Sequence, residues 1–370
     1  MRTIFVTGGT GSVGSPLIRA LLARGDRVLL LARDRSRAEA RFDHHPSLVV
    51  FEGDVVVRSG GIQPAEIARW RGRVDAFVHG AAIVQYHWAM HDQTREVNVQ
   101  GTAHMLELAA QLAAPRFFYV STAYVGGTCD ALSEDEWGDP ARAENPYELT
   151  KQAAEQLVAR WSGGRSHILR LSTVIGDASS GVTAGFGGYY GFVQSIWVHS
   201  ARLESWRDQP LLVGVDPHAT LNLVTAEWVT GSMLAAIDAA ELPVQVIHLT
   251  HPQPVGMQWA FEATFKRFFD LPVETDRARV IPPELAAERR RWEALQRAID
   301  GAIHYFGHYV QKEPRFGFEN ASRWLGRPPP PAVDETVIRN VLAYAAKHNF
   351  GRVALRRRPP SNRPSSGESA

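Results

Sequence analysis

A glycine-rich loop near the N-terminus constrains the fold of this chain more than any other feature. Residues 7–14 read TGGTGSVG and lie between a short β-branched run, Thr3–Thr7, and a segment with helical apolar spacing, Ser15–Arg24. In this strand–loop–helix context, glycines allow a tight turn and the close approach of a pyrophosphate, which the helix N-terminus attracts. We therefore predict a dinucleotide site that uses the loop residues Thr7, Gly8, Thr10, Gly11, Ser12, Val13 and Gly14.

The first half of the chain alternates short β-branched runs with helical patterns, which is typical of a parallel sheet covered on both faces. The predicted strands are Thr3–Thr7, Arg27–Ala32, Leu48–Glu52, Ala76–Gly80, Arg116–Ser121 and His167–Leu171. The predicted helices are Ser15–Arg24, Ala65–Trp70, Thr94–Leu112 and Pro146–Trp161. The fold class that these patterns indicate is α/β, a Rossmann-type doubly wound parallel sheet.

The pattern also predicts how the chain divides into domains. Leu221–Ile237 and Val244–Thr250 have the patterns of a further helix and strand of the sheet, so the nucleotide-binding domain should be discontinuous, residues 1–177 plus about 212–250. Residues 178–211 and 251–351 should form a smaller, mostly helical substrate-binding domain that includes a long helix from Glu284 to Val310. Residues 352–370 are rich in arginine, proline and serine, have little apolar content and should be a disordered tail.

Charge and cysteine content exclude several classes of function. The chain has 40 basic and 39 acidic residues, so it lacks the positive surplus with which proteins bind duplex nucleic acid or membrane surfaces. Its single cysteine, Cys129, excludes an internal disulfide and fits a reducing compartment. No apolar run has the form of a signal peptide or an integral membrane segment. We expect a cytoplasmic protein that binds no nucleic acid.

The end of the second predicted strand indicates which dinucleotide binds. An acidic residue there binds the ribose 2′-hydroxyl and repels a 2′-phosphate, but this strand ends in Leu31-Ala32-Arg33. The guanidinium of Arg33, with Arg35 or Arg37 as a second cation, can pair with a 2′-phosphate. The expected cofactor is therefore NADPH.

Two further turns offer cofactor contacts at the same edge of the predicted sheet. Asp54 and Val55 follow the third strand, where a carboxylate can contact the adenine. Gly80, Ala81 and Ala82 follow the fourth strand and place small residues beside the cofactor.

Tyr147 and Lys151 form a Tyr-x-x-x-Lys pair on a predicted helix, so both side chains project from one face, one turn apart. Thr122 supplies a hydroxyl at the end of the fifth strand, at the edge where open α/β sheets bind ligands. A carbonyl that receives a hydride develops negative charge, which a phenol and a hydroxyl can neutralise, and an adjacent ammonium favours the phenolate. The three residues together predict a hydride-transfer site.

These motifs resemble the extended short-chain dehydrogenase/reductase superfamily over residues 1 to about 250, and the VNVQGT string at 97–102 adds to the resemblance. The resemblance implies that Tyr147 is the acid/base, that Lys151 lowers the pKa of Tyr147 and binds the nicotinamide ribose, and that Thr122 hydrogen-bonds the reacting oxygen. It implies that Asn98 either takes part in a proton path or has a structural role.

Several later strings resemble one branch of that superfamily, the fatty acyl-CoA and thioester reductases of the male-sterility type. They read RLSTVIGD at 170–177, GFGGYYGF at 185–192 and PRFGFEN at 314–320. This resemblance implies that NADPH reduces an acyl thioester, carried by coenzyme A or by a separate carrier protein, to an aldehyde, and it leaves a second reduction to the alcohol open. Five aromatic residues either line an acyl channel or form ordinary core: Phe186, Tyr189, Tyr190, Phe192 and Trp197.

Other functions remain open at this stage. The same site residues suit a ketone or aldehyde reductase or a hydroxysteroid-type dehydrogenase, and with less support a nucleotide-sugar epimerase or a non-catalytic dinucleotide-binding protein. His87 and His91 are four residues apart, but no third ligand accompanies them, so no metal site is predicted. The oligomeric state has no signal in the sequence.

Overall fold

The computed structural model describes residues 1–199, 211–212, 216, 218–271, 273–274 and 286–352. The predicted tail, apart from its first residue, lies outside these residues, and so does the start of the helix predicted from Glu284. The strands in chain order are β1 Thr3–Thr7, β2 Arg27–Ala32, β3 Leu48–Glu52, β4 Ala76–His79, β5 Arg116–Thr122, β6 Ala131–Leu132, β7 Arg165–Leu171, β8 Thr173–Ile175, β9 Leu211–Leu212, β10 Thr220–Leu221, β11 Leu223–Thr225, β12 Val246–Leu249, β13 Val255–Gly256, β14 Val273–Glu274 and β15 Arg315–Phe316.

The helices of the described part of the chain are mostly short. They are α1 Gly14–Ala23, α2 Arg35–Arg41, α3 Pro64–Trp70, α4 His91–Arg95, α5 Gly101–Gln111, α6 Pro146–Ala159, α7 Tyr189–Trp197, α8 Ala226–Asp238, α9 Met257–Phe261, α10 Ala286–Ile303, α11 Gly307–Gln311, α12 Glu319–Leu325 and α13 Glu335–Lys347. A π-helical turn, Glu96–Gln100, joins α4 to α5 without a break.

A seven-stranded sheet in the order β3-β2-β1-β4-β5-β7-β12 forms the centre of the fold. All six strand pairings in it are parallel, as the continuously apolar strands predict. The strand order reverses between β1 and β4, and at such a switch point the carboxyl ends of the strands border a ligand-binding crevice. The prediction of a doubly wound α/β fold is confirmed.

Side-chain alternation along the strands builds a core on each face of the sheet. Ile4 and Val6 of β1 pack with α1 and α8 on one face, whereas Phe5 points to the opposite face, toward α5 and α6. A third core forms among the later segments, chiefly α7, α9, α10 and α13, and contains most of the aromatic residues.

The secondary structure differs from the prediction at three places. The segment predicted as one helix, Leu221–Ile237, begins as β-strand: Leu223–Thr225 pairs with Thr173–Ile175, and the helix starts only at Ala226. Its β-branched residues pair with a strand that local periodicity does not show. The helix Arg35–Arg41 was not predicted, because Ala38 is its one buried residue and no apolar stripe marks it. The long helix ends at Ile303, and a short turn, His304–Phe306, separates it from α11.

Candidate active site

A cavity lies at the carboxyl ends of β1, β4 and β5, where the strand order reverses. Most residues predicted for the dinucleotide loop and for catalysis line it: Thr7, Gly8, Gly11, Ser12, Val13, Gly14, Gly80, Ala82, Thr122, Tyr147 and Lys151. These motifs lie far apart in the sequence, and the topology of the sheet brings them together at one site.

The glycines of the loop are needed for different structural reasons. Gly8 has a φ of +71°, and a Cβ there would lie 2.4 Å from the backbone of Gly80. A Cβ on Gly14 would lie 2.3 Å from the carbonyl oxygen of Gly8, so both positions exclude a side chain. A Cβ on Gly11 would meet only that carbonyl oxygen, at 3.3 Å, which leaves the loop open at its centre. The loop therefore fits a pyrophosphate at the N-terminus of α1.

A buried histidine that the sequence analysis did not single out fixes the end of β1. Thr102 Oγ1 donates to the carbonyl of Asn98 at 2.6 Å, so it accepts from His79 Nε2 at 3.1 Å. His79 Nδ1 then accepts from Thr7 Oγ1 at 2.6 Å, and that hydroxyl accepts from the Ala81 backbone N–H at 3.2 Å. Burial, with a contribution from Lys151, lowers the pKa of His79 to about 3, so its ring is neutral. This relay holds the loops after β1 and β4 together.

Helix α6 carries the catalytic pair, and an N-cap fixes its start. Asn145 Oδ1 accepts from the Glu148 backbone N–H at 3.0 Å, and the Glu148 carboxylate accepts from the Glu144 backbone N–H at 2.8 Å. Tyr147 lies in this first turn, and its hydroxyl hydrogen-bonds Thr122. Burial, followed by the neighbouring Tyr86, raises the pKa of Tyr147, while the Thr122 hydrogen bond acts in the opposite direction.

Lys151 lies one turn further on, and its ammonium is buried. Its Nζ donates to the carbonyl of Val120 at 2.6 Å and sits 4.1 Å from the centre of the Tyr119 ring. Burial lowers the pKa of Lys151 to about 7, and the carboxylate of Glu155 partly opposes that shift. The charge of Lys151 is therefore poised near neutral pH in this state of the protein.

Glu155 belongs to a buried network that the sequence analysis missed. Its carboxylate accepts from Arg170 through two hydrogen bonds, of 3.0 and 2.8 Å, and from Ser121 Oγ at 2.6 Å. Both members of the ion pair are fully buried. Because Ser121 precedes Thr122, the network fixes the end of β5 against α6.

Asn98 lies on the π-helical turn and does not line the cavity. Its side-chain amide accepts from the Ile83 backbone N–H at 2.8 Å and donates to the Ile83 carbonyl at 3.0 Å and to Thr150 Oγ1 at 3.0 Å. These contacts join the loop after β4 to α6, so its geometry fits the structural part and not a proton path.

The residues predicted around the adenosine lie outside the cavity lining. Arg33 is exposed and makes no hydrogen bond or ion pair with the described parts of the chain, whereas Arg35 pairs with Glu39 at 2.7 Å. Arg37 lies near Arg41, a half-buried residue not predicted, whose Nε donates to Ser15 Oγ at 3.1 Å. Burial lowers the pKa of the Arg41 guanidinium most, and the nearby cations Arg19 and Arg37 lower it further. Positive charge is therefore concentrated around Arg41.

The turn after β3 has backbone contacts that fix its course. Asp54 Oδ1 accepts from the Val56 backbone N–H at 3.2 Å. Val55 is buried against Gly101, and its carbonyl accepts from His104 Nδ1 at 3.1 Å. Thr10 is exposed at the tip of the glycine loop.

The aromatic residues predicted for an acyl channel divide into two groups. Tyr189 and Phe192 line the cavity. Three lie in the core behind it: the Tyr190 hydroxyl accepts from the Gly176 backbone N–H at 2.8 Å, Phe186 packs edge-on against Tyr190, and Trp197 packs against Phe350. Phe186, on the loop before α7, and Tyr190, on α7, lie outside the cavity lining, so their packing fits ordinary core, one of the two alternatives that the sequence leaves open.

Other cavity residues come from segments that the sequence analysis did not connect with the site. They are mostly apolar or aromatic: Val84, Tyr86, Tyr124, Leu221, Met257, Phe306, Tyr309 and Val310. Their contact with the cavity is visible only in the three-dimensional fold.

Two further observations concern the described parts of the chain. No group of three His, Cys, Asp or Glu side chains there is placed to hold a metal ion. None of the helices described has both the length and the apolar content needed to cross a membrane.

One family model matches more than half of this chain. An NAD-binding family model described as "Male sterility protein" matches residues 6–230. D-lysergyl-peptide-synthetase subunit 3 of Claviceps purpurea (strain 20.1) is 34% identical over 212 residues, which are 49% of this chain but 11% of that protein. The chain thus spans a small part of the length of this relative.

Two solved structures are similar over nearly the whole chain. The terminal R domain from the myxalamid PKS-NRPS biosynthetic pathway has a TM-score of 0.75 and 22% identity, with 95% of this chain and 92% of that chain covered. A thiolation-reductase di-domain from an archaeal non-ribosomal peptide synthetase has a TM-score of 0.68 and 16% identity, with 95% and 76% covered. At these identities the two structures bear on the fold alone. Because the family model covers more than half of the chain, the protein belongs to the male sterility protein family of NAD-binding enzymes, within the extended short-chain dehydrogenase/reductase superfamily, and is an NAD(P)-dependent oxidoreductase.

Proposed function

We propose that this protein is an NADPH-dependent reductase that converts an acyl thioester, carried by coenzyme A or by a separate carrier protein, to an aldehyde. One observation carries the proposal: Thr122, Tyr147 and Lys151 line the same cavity as the glycine loop, and that cavity continues along an apolar wall that includes Tyr189 and Phe192. The names of the similar R domain and thiolation-reductase di-domain support a carrier-bound thioester as substrate.

The residues of the chain fit the dinucleotide that the reaction needs. The loop around Gly11 leaves room for a pyrophosphate, and Arg33, Arg37 and Arg41 supply positive charge where β2 ends. We assign the 2′-phosphate to Arg33 and Arg37, and the adenine to the turn at Asp54. Gly80 carries only hydrogen and Ala81 and Ala82 carry only methyl groups, so this segment leaves space for the dinucleotide beside β4.

In the proposed mechanism, bound NADPH supplies the hydride to the carbonyl carbon of the thioester. Thr122 and Tyr147 donate hydrogen bonds to the carbonyl oxygen as it becomes an oxyanion, and the ammonium of Lys151 favours the anionic form of Tyr147 when that residue passes a proton on. When the carbonyl re-forms, the carbon–sulfur bond breaks and the thiolate leaves with the electron pair, which accepts the proton from Tyr147 to give the free thiol; a proton from solvent restores Tyr147. Asn98 positions α6 through Thr150.

Domain organisation follows from the same proposal. We assign residues 1–177 plus about 212–250 to dinucleotide binding and the segments about 178–211 plus 251–351 to the substrate. The substrate side would then contribute Tyr189, Phe192 and Phe306 to the acyl wall.

The experiment that tests the function compares substrates and cofactors. The purified protein is mixed with NADPH and either an acyl-CoA, an acyl group on a carrier protein, or a free aldehyde, and NADPH consumption is followed together with trapping of the aldehyde product. Thioester reduction predicts NADPH consumption and free thiol release with an acyl thioester. Consumption with free aldehydes alone would instead assign the protein as an aldehyde or ketone reductase.

A further inference from the structure

Tyr86 adds a phenol to the cavity that contains the proposed reaction site. It lies on the loop after β4 and lines the cavity that holds Tyr147. Its ring packs edge-on against Phe306, with 5.4 Å between ring centres, and against Tyr309 at 5.9 Å. Contacts with two rings from the C-terminal part of the chain therefore hold the phenol in one place.

The hydroxyl of Tyr86 has no protein partner within the part of the chain that the structure describes. The other cavity phenols are all occupied: Tyr124 donates to Glu313 at 2.7 Å, Tyr309 donates to Glu148, Tyr189 pairs with Thr264, and Tyr147 pairs with Thr122. The Tyr86 oxygen is also not among the unpartnered side-chain atoms that are sealed from solvent, so solvent reaches it. A half-buried donor that lacks a protein acceptor is available to a ligand.

The electrostatic surroundings of Tyr86 fit a role as hydrogen-bond donor beside Tyr147, the proposed acid/base. Burial, then the carboxylate of Glu148, raise the pKa of Tyr86 to about 12, so the phenol keeps its proton throughout the neutral range. Tyr86 also contributes to the raised pKa of Tyr147, which places the two phenols within electrostatic reach of each other.

We propose that Tyr86 is a catalytic residue that donates a hydrogen bond to the substrate carbonyl oxygen, as a third donor beside Thr122 and Tyr147. The inference rests on the proposed function and assigns a residue of the site that no motif includes. Hydride adds to the carbonyl carbon and the oxygen gains negative charge. Tyr86 keeps its proton throughout, so Tyr147 remains the group that exchanges one. An additional preorganised donor lowers the energy of the oxyanion more than that of the neutral carbonyl.

The test replaces Tyr86 by phenylalanine, which removes one oxygen and keeps the ring contacts with Phe306 and Tyr309. We expect Tyr86→Phe to lower kcat/KM by about 10- to 100-fold, mainly through kcat, because the hydrogen bond strengthens in the transition state. The Kd of NADPH should change by less than about twofold, since no cofactor role is assigned to Tyr86. Tyr344→Phe is the matched control, because that ring packs with Phe186 outside the cavity lining, and it should leave kcat/KM unchanged.

Each outcome decides between the two proposals. If the wild-type protein consumes no NADPH with thioesters or aldehydes, the proposed function fails and the role of Tyr86 fails with it. If the wild-type is active and Tyr147→Phe is inactive while Tyr86→Phe keeps its kcat/KM, only the inference is wrong. A rise in KM without a change in kcat would also overturn it, because it would limit Tyr86 to ground-state binding.

Discussion

Lys151 shows how a single buried charge links cofactor binding to pH. Its ammonium rests on the Val120 carbonyl and the Tyr119 ring, and burial lowers its pKa to about 7. Below that pH the lysine is charged, and above it the lysine is neutral in the free protein. The ribose hydroxyls of a bound dinucleotide would accept hydrogen bonds from the ammonium and so favour the charged form.

NADPH binding should therefore take up a proton at alkaline pH. At about pH 8 we expect uptake of about one proton per dinucleotide, falling toward zero below neutral pH as Lys151 becomes charged beforehand. Calorimetric titration in two buffers with different ionisation enthalpies measures the uptake. Lys151→Met should abolish it, and equal uptake in that variant would assign the proton to another group.

Tyr147 is the residue on which turnover should depend most. Replacement of Tyr147 by phenylalanine removes the proposed acid/base and should lower kcat by about 1,000-fold or more. The NADPH Kd should stay within about twofold, because the glycine loop and Lys151 remain. Steady-state kinetics and fluorescence titration measure the two quantities, and unchanged turnover would remove Tyr147 from the mechanism.

Arg33 should decide between NADPH and NADH. Arg33→Ala removes a cation that has no partner among the described residues, and it should weaken NADPH binding by about tenfold or more, with little effect on NADH, since a charge-assisted hydrogen bond contributes about 1.5–3 kcal/mol. Arg35→Ala is the matched control, because Glu39 already pairs with that guanidinium. Titration of each variant with both dinucleotides provides the measurement, and equal losses for both would contradict the 2′-phosphate assignment.

At the scale of elements, helix α6 depends on contacts at its first turn. Asn145 caps the helix, and its Nδ2 also donates to Glu148 at 3.0 Å and to the Tyr309 hydroxyl at 2.9 Å. Glu148 is fully buried and receives Tyr309 and His308 from α11. The position of Tyr147 between these residues is therefore set by the first turn of α6 together with α11.

Loss of this cap should destabilise the protein measurably. Asn145→Ala removes the N-cap and two buried hydrogen bonds, and we expect a loss of about 2 kcal/mol in the free energy of unfolding. Asp34→Ala removes an exposed N-cap from α2 and should cost about 0.5 kcal/mol. Urea denaturation of both variants measures the difference, and equal losses would contradict a special role for the α6 cap.

The elements also show which features the sequence could predict. The first three strands have their predicted bounds, because β-branched runs between turn residues are local signals. Tyr147 and Lys151 were found because their spacing on one helix face is itself local. The strand Leu223–Thr225 was missed because its partner, Thr173–Ile175, lies some fifty residues earlier and only the tertiary fold pairs them.

At the scale of the whole molecule, the C-terminal part of the chain completes the cavity. Phe306 packs on Tyr86, Tyr309 reaches Glu148, and Glu313 accepts from Tyr124 and from the Asn222 backbone N–H. These contacts lie far apart in sequence and follow no motif, so the sequence could not predict them. Phe186 and Tyr190 illustrate the same point, because aromatic composition alone does not tell a cavity wall from a core.

The hydrogen bond from Tyr309 to Glu148 has a consequence for the order of events during synthesis. The glycine loop and the strands β1 to β7 precede α11 in the chain, so they leave the ribosome first. Glu148 at that time lacks its partners Tyr309 and His308, and the wall formed by Phe306 is absent. A nascent chain therefore contains its loop residues before the contacts that fix the first turn of its catalytic helix, and the cavity is complete only after residues 306–313 have been made.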